Sequence, residues 1–330
     1  TAIGFLKYLD RPDDEQQVLR EALASGSPKT PRLLSLEAIA QADAGNRDQM
    51  MRTYEGLLAR FPDDASVKFD FAIQLLKASV PERANQLFDE VLKESPLDQM
   101  ALGFKSTALR LMGDNRLNDL VDHDAMVFKV DVPAPEGYAS RAEYFAEVAS
   151  VLESLHHTHA HPIDQSVRGG TQTNGFLFRI AHPVVKQLEQ QIRLAVADAL
   201  HRFPIDGTHP FWRRNVAGTQ AADIVFSGAW SVRLSGQGFH TNHMHPKGWI
   251  SSALYIAVPD EVSGATDDAV FLQFGALEQN LGLFLPPLRT ITPQVGSLVL
   301  LPSYLRYATI PFSSEQPRIT VAIDIVPHNE

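Results

Sequence analysis

Along the first 122 residues the apolar positions recur at helical spacing, as in Tyr54, Leu57, Leu58 and Phe61. A longer period overlies this one. "VLREALASGSP" (18–28), "RTYEGLLARFP" (52–62) and "QLFDEVLKESP" (86–96) align without gaps, so Pro28, Pro62 and Pro96 stand 34 residues apart, as do Leu23, Leu57 and Val91. Ala38, Ala72 and Ser106 supply a small residue at matching positions, and Gly45, Ser79 and Gly113 fall where one helix must stop and the next begin. A helix pair of this size cannot bury its apolar face alone. The pattern therefore predicts neighbouring pairs stacked into a short solenoid.

A Pro-rich joint, "VDVPAPEGYAS" (130–140), precedes two more amphipathic helices. The first, 141–156, carries Tyr144, Phe145, Val148, Val151, Leu152 and Leu155 on one side. The second, 183–202, begins after Pro183 and carries Val184, Leu188, Ile192, Ala195 and Ala199. From about 224 the pattern changes to short β segments: "IVFSGAWSVRLS", "WISSALYIAVP", "AVFLQFG", "SLVLLP" and "RITVAIDIVP". Such runs bounded by Gly, Pro and Asp suggest a sandwich or barrel. The expected class is α+β, with a helical domain over 1–122 and a second domain, helices followed by strands, over 123–330.

Composition narrows the chemistry. The chain of 330 residues is 44% hydrophobic and 21% charged, as in an ordinary globular protein. No apolar run is long enough to span a bilayer, and "TAIGFLKYLDRPDDE" shows no signal-peptide pattern, so a cytoplasmic location without membrane attachment is expected. A net charge of −10 argues against a nucleic-acid partner. With no cysteine, any metal must sit on nitrogen and oxygen.

"GFHTNHMHPKGWIS" (238–251) is the strongest chemical signal. Side chains two apart on a strand share a face, so His243 and His245 are expected to project together as a two-nitrogen chelate. His240 is out of register with them unless a bulge intervenes. A second run, "HHTHAHP", starts at His156 and reads as a solvated helix C-terminus, where histidine suits the helix dipole.

"FHTNHMHPKGWISSALYIAVPD" and "LVLLPSYLRYATIPFSSEQPRITVAIDIVP", with the upstream "HPIDQSVRGGTQTNGFLF" (161–178), resemble the 2-oxoglutarate- and Fe(II)-dependent oxygenases fused to tetratricopeptide repeats. The resemblance covers about 121–330, and the 34-residue period with its proline and small residue is similar to the tetratricopeptide repeat, though the consensus tryptophan and tyrosine are missing. It implies a double-stranded β-helix, a jelly-roll related to prolyl hydroxylases. It also implies Fe(II) as the metal, with 2-oxoglutarate as cosubstrate giving succinate and CO2. Carried over, His243 and His245 fill the family's early ligand pair, and Arg318 matches the cosubstrate arginine, with Thr320 on the same strand face and Tyr255 as a phenolic partner. The helical repeats imply a peptide or protein substrate.

The chain departs from the family at the distal ligand. Where the family reads Trp-His-Gly-Thr, this sequence reads Arg306-Tyr307-Ala308-Thr309, so Tyr307 occupies the ligand position, and the early pair contains no carboxylate. Three readings stand at this point. Tyr307 ligates as a phenolate; or His240 completes the site and Tyr307 lines the pocket; or the metal site has decayed and the domain is a binding module.

Overall fold

The computed structural model describes residues 11–25, 28–157, 166–263, 272–277 and 281–327. Contacts within it divide the chain into two compact units, Thr1–Asn115 and Arg116–Glu330.

The first unit contains six described helices: α1 Pro12–Ala24, α2 Pro31–Asp43, α3 Arg47–Arg60, α4 Ala65–Lys77, α5 Pro81–Glu94 and α6 Gln99–Met112. The sequence period is also a conformational period. Thr30, Asp64 and Asp98, each 34 residues after the last, are N-caps whose side chains accept from the N–H of Leu33, Val67 and Ala101. Such caps satisfy one of the orphan donors at a helix start. Gly45, Ser79 and Gly113 are all left-handed, at φ of 79°, 58° and 64°. After each, the next N–H reaches back to close the helix: Asn46 to the Gln41 carbonyl, Val80 to Leu75 and Asp114 to Leu109. Ala38 and Ala72 are fully buried, and Tyr54 stacks on Phe71 at 4.8 Å. The solenoid pattern of α-hairpins is thus present from α2 to α6, whereas Gly26 and Ser27 lie outside the described residues.

The second unit mixes helices with antiparallel sheets. Its strands are β1 Phe128–Asp131, β2 Val167–Gln172, β3 Val225–His240, β4 Ile250–Ala257, β5 Leu272–Phe274, β6 Arg289–Ile291, β7 Ser297–Pro302, β8 Tyr307–Thr309 and β9 Arg318–Val326. A six-stranded sheet runs in the order β1-β7-β4-β9-β3-β2 and a three-stranded sheet in the order β6-β5-β8. Helices α7 Arg141–Glu153 and α8 Pro183–His201 pack together, α7 against β4 and α8 beside β1. They bury the expected stripes, Tyr144, Phe145, Val148 and Leu152 on α7 and Val184, Leu188 and Ile192 on α8. Of "AVFLQFG", residues 269–271 lie outside the described residues and Leu272–Phe274 forms β5.

Register decides what faces the site. Tyr255 pairs with Thr320, Ala253 with Ala322 and Ser251 with Asp324 across β4 and β9. Trp230, Val232 and Leu234 of β3 pair with Ala322, Thr320 and Arg318. Because side chains alternate, Arg318, Thr320 and Asp324 share a face with Tyr255 and Trp230.

The histidine run after α7 corrects one expectation. His156 is not solvated: its ring bridges Thr171 Oγ1 at 2.8 Å and Ser231 Oγ at 3.1 Å. Burial, and then the nearby Arg233 charge, pull its pKa down to about 4. Ser231 lies on the sheet face opposite Trp230, so His156 belongs to the helix-covered side. His159 and His161 lie outside the described residues.

Candidate metal centre

His243 and His245 come together, but not as alternate residues of a strand. Both lie in the connection between β3 and β4. His243 makes a single antiparallel bridge with Tyr307, its N–H reaching the Tyr307 carbonyl and the Tyr307 N–H returning, both at 3.1 Å. His245 is held separately, its N–H donating to the Ser303 carbonyl at 3.0 Å. The two-residue spacing gives convergence here because β8 and the end of β7 grip the loop, not because of strand pleat. The imidazole centroids are 5.2 Å apart.

Hydrogen bonds fix which nitrogen of each ring is available. His243 Nδ1 lies 2.8 Å from the Thr241 carbonyl, which can only accept, so Nδ1 carries the proton and Nε2 the lone pair. His245 Nδ1 lies 2.8 and 2.9 Å from the two carboxylate oxygens of Asp324, with the same consequence. Both rings thus have the arrangement of metal-binding histidines, whose outer N–H is tied to an acceptor. Burial, followed by the neighbouring His245 and His240, holds His243 well below the ordinary histidine pKa, so it is neutral and fit to donate.

Tyr307 reaches the same place. Its hydroxyl donates to His245 Nε2 at 2.8 Å, and its ring centroid is 4.3 Å from that of His243. Burial, then the Asp324 charge and Tyr255, push the phenol well above its ordinary pKa. Protein groups alone therefore favour the protonated phenol, and only a cation at the site would favour the phenolate. His240 stacks on His243 at 5.6 Å, and its Nδ1 is engaged by Ser166 Oγ at 2.9 Å. Among the described residues no three His, Cys, Asp or Glu side chains are grouped to hold a metal. His245 Nε2 and the Tyr307 hydroxyl meet, with the His243 ring packed against both side chains, and imidazole nitrogen and phenol oxygen are donor types that a divalent first-row metal takes.

Beyond His240 the row of rings leads to Arg318, whose charge helps pull the His240 pKa down to about 3, after burial. Arg318 is 1% exposed, and among the described residues none of its three guanidinium nitrogens has a hydrogen-bond partner. It lies over the Phe312 ring at 4.9 Å, beside the apolar cluster of Val167, Val232, Leu234, Val262 and Phe312. Tyr255 is buried near it, its phenol pushed up to about 12 by burial while Arg318 pulls the other way. Thr320 is buried on the same face. An unpartnered buried guanidinium costs several kcal/mol, and an anionic ligand is what relieves that cost.

Two contributors were not singled out by sequence. Asp324 orients His245, and the Trp230 ring lies parallel to His245 at 5.8 Å. Gly228 makes room for Trp230, since a Cβ there would meet the Trp230 ring at 2.7 Å. The even spacing of Arg318, Thr320 and Asp324 in an otherwise apolar strand was the available signal for the carboxylate.

Residues 228–324, which carry every donor named above, match the family described as "Putative 2OG-Fe(II) oxygenase". No curated protein matches the chain by sequence. Among solved structures, HygX from Streptomyces hygroscopicus with nickel, 2-oxoglutarate and hygromycin B bound is 13% identical, with 62% of this chain and 84% of that chain covered at a TM-score of 0.40. A Pseudomonas putida prolyl-4-hydroxylase is 12% identical, with 68% and 98% covered and a TM-score of 0.38. A Trichoplax adhaerens prolyl hydroxylase, in complex with a hypoxia inducible factor oxygen degradation domain peptide fragment, is 11% identical, with 67% and 93% covered and a TM-score of 0.40. Likenesses of this degree leave the chemistry to be argued from the residues. The firmest outside relation is thus the oxygenase-family match over the segment that holds the histidine pair, Tyr307 and Arg318.

Proposed function

We propose that the second unit is a non-haem iron, 2-oxoglutarate-dependent oxygenase of the hydroxylase type, built on a double-stranded β-helix. His243, His245 and Tyr307 would hold Fe(II), and Arg318 would hold the cosubstrate. The observation that carries this reading is the buried guanidinium of Arg318 with three unpartnered nitrogens, one imidazole beyond the histidine pair. A carboxylate is the ligand that a guanidinium fork matches best.

Each side chain then has a task. Thr241 and Asp324 keep the protons of His243 and His245 on Nδ1, which presents Nε2 to the metal. Arg318 would pair with the far carboxylate of 2-oxoglutarate, and Tyr255, protonated at neutral pH, would donate to the same group alongside the Thr320 hydroxyl. The wall of Val232, Leu234 and Phe312 excludes water from that pair and strengthens it. When bound, iron and 2-oxoglutarate would supply hydroxylation of a C–H bond by dioxygen, one oxygen atom going to the product and the other to succinate, with CO2 released. The helical repeats of the first unit would recruit a peptide or protein substrate, with tetratricopeptide repeats as the analogy.

A second reading has one observation in its favour. The Tyr307 hydroxyl already donates to His245 Nε2, so metal entry must displace or deprotonate it. A carboxylate-binding module without iron would keep that hydrogen bond. Calorimetry with Co(II), beside a 2-oxoglutarate-dependent succinate assay, separates the two. The oxygenase requires one metal bound, its loss in His243→Ala/His245→Ala, and succinate release. It further requires colour from phenolate-to-iron charge transfer in the ferric protein, bleached in Tyr307→Phe. Binding of 2-oxoglutarate with no metal uptake would instead establish the module.

A further inference from the structure

We infer that Asp324 is the carboxylate of the metal site, acting through His245 as a positioning residue without touching the cation. This rests on the reading of His243 and His245 as ligands. The inner donors, two imidazoles and a phenol, include no carboxylate, whereas the commonest non-haem iron site has one. Asp324 supplies one a single residue away. Its two oxygens stand 2.8 and 2.9 Å from His245 Nδ1, and its side chain is only 14% exposed in an apolar strand.

The carboxylate is itself held in place. Ser251 Oγ donates to Asp324 Oδ1 at 2.9 Å and lies 2.9 Å from Ser303 Oγ. Ser303 also accepts the backbone N–H of His245 through its carbonyl at 3.0 Å. The backbone and the ring of His245 are therefore fixed to one anchor, where β4, β7 and β9 lie side by side. Trp230 packs parallel to the ring, in space that Gly228 leaves open. A carboxylate on Nδ1–H makes the imidazole a stronger donor at Nε2 and forbids the other tautomer. A residue that merely pinned the loop would need neither the charge nor both oxygens on one nitrogen.

The test uses the full-length protein and Asp324→Asn, which keeps size and hydrogen-bonding capacity but removes the charge. In the metal-free parent, long-range nitrogen–proton NMR should show His245 as a single Nδ1–H tautomer. In Asp324→Asn the resonances should move to a mixture or to Nε2–H. Ni(II) affinity by calorimetry should fall by about 10–100-fold. Asp324→Glu should recover part of it, and Ser251→Ala, which loosens the carboxylate but leaves it present, should weaken Ni(II) several-fold. If Asp324→Asn does not fold, Ser251→Ala carries the same tautomer and affinity readouts. An unchanged tautomer with unchanged Ni(II) affinity, in a parent that binds Ni(II), overturns this inference alone. A parent that binds no Ni(II) overturns it together with the oxygenase reading.

Discussion

In the helical unit the polar and conformationally special residues act on their sequence neighbours. Thr30, Asp64 and Asp98 cap helices that begin one residue later, and Gly45, Ser79 and Gly113 end helices that stop one or two residues before. In the sheet unit the decisive polar residues act across the chain. Asp324 meets His245 from 79 residues away and His240 meets Ser166 from 74. The helical unit repeats one local solution, and its buried positions serve stability. The sheet unit leaves the Arg318 guanidinium buried over the Phe312 ring with no hydrogen-bond partner among the described residues. The contrast separates a scaffold from a site on physical grounds, before any family is invoked.

The largest expected effect tests that contrast directly. Arg318→Met removes an unpartnered buried charge and keeps much of its volume. The ligand-free sheet unit should become more stable, by about 1–3 kcal/mol, because the desolvation cost disappears. Affinity for 2-oxoglutarate should fall by roughly 2–5 kcal/mol, the usual cost of removing one partner of a charge-assisted pair. Trp212, Trp230 and Trp249 all lie in the sheet unit, so tryptophan emission during urea unfolding reports that unit alone. A loss of stability in Arg318→Met would show that the guanidinium is paired within the fold.

Acid should drive the two units in opposite directions. His156 is held near a pKa of about 4 against 6.5 in the unfolded chain, chiefly by burial. Below pH 6.5 the unfolded chain takes up this proton first. The sheet unit thus loses stability as pH falls towards 4, on the order of 2 kcal/mol in all. Asp70 of the helical unit is pushed up to about 6 from 3.8, by burial first and then Asp64, against the pull of Arg32. Here the folded unit takes up the proton first. Its stability rises as pH falls from 6 towards 4, by roughly 1–2 kcal/mol. Urea midpoints followed by tryptophan emission and by the remaining helical ellipticity should diverge over this window. Asp70→Asn should flatten the second slope, and parallel slopes in the parent would break the comparison.

The smallest effect concerns the repeat itself. Ser79 occupies a left-handed position at φ 58° that its repeat partners fill with glycine. Ser79→Gly should stabilise the helical unit by about 0.5–1 kcal/mol, seen as slower amide exchange in peptides from 31–113 with tryptophan emission unchanged. No gain would mean that the serine conformation is already relaxed.

How legible each part was follows from the range of the forces that make it. Helix stops are set within a few residues, so the aligned Gly45, Ser79 and Gly113, with the prolines, revealed them and their 34-residue period. The apolar stripes of α7 and α8 and the span of β7 were legible for the same reason. The identities of His243, His245, Tyr307 and Arg318 as site candidates also came from sequence, partly through a family resemblance. Their arrangement did not. Strand alternation was the wrong reason for the histidine pair to converge, because the loop is gripped by Tyr307 and Ser303, residues some 60 positions on. His156 looked solvated because nothing nearby in sequence announces Thr171 and Ser231 as its partners. Which nitrogen of each imidazole carries the proton, whether His240 joins the donors, and that Asp324 stands behind His245 depend on pairing β3, β4, β7 and β9 in one register. Sequence determined the local turns and the donor inventory, where each residue answers to its neighbours. Tertiary structure decided how those residues are arranged and hydrogen-bonded, because hydrogen bonds and buried charge are settled by whichever distant groups the sheet brings within about 3 Å.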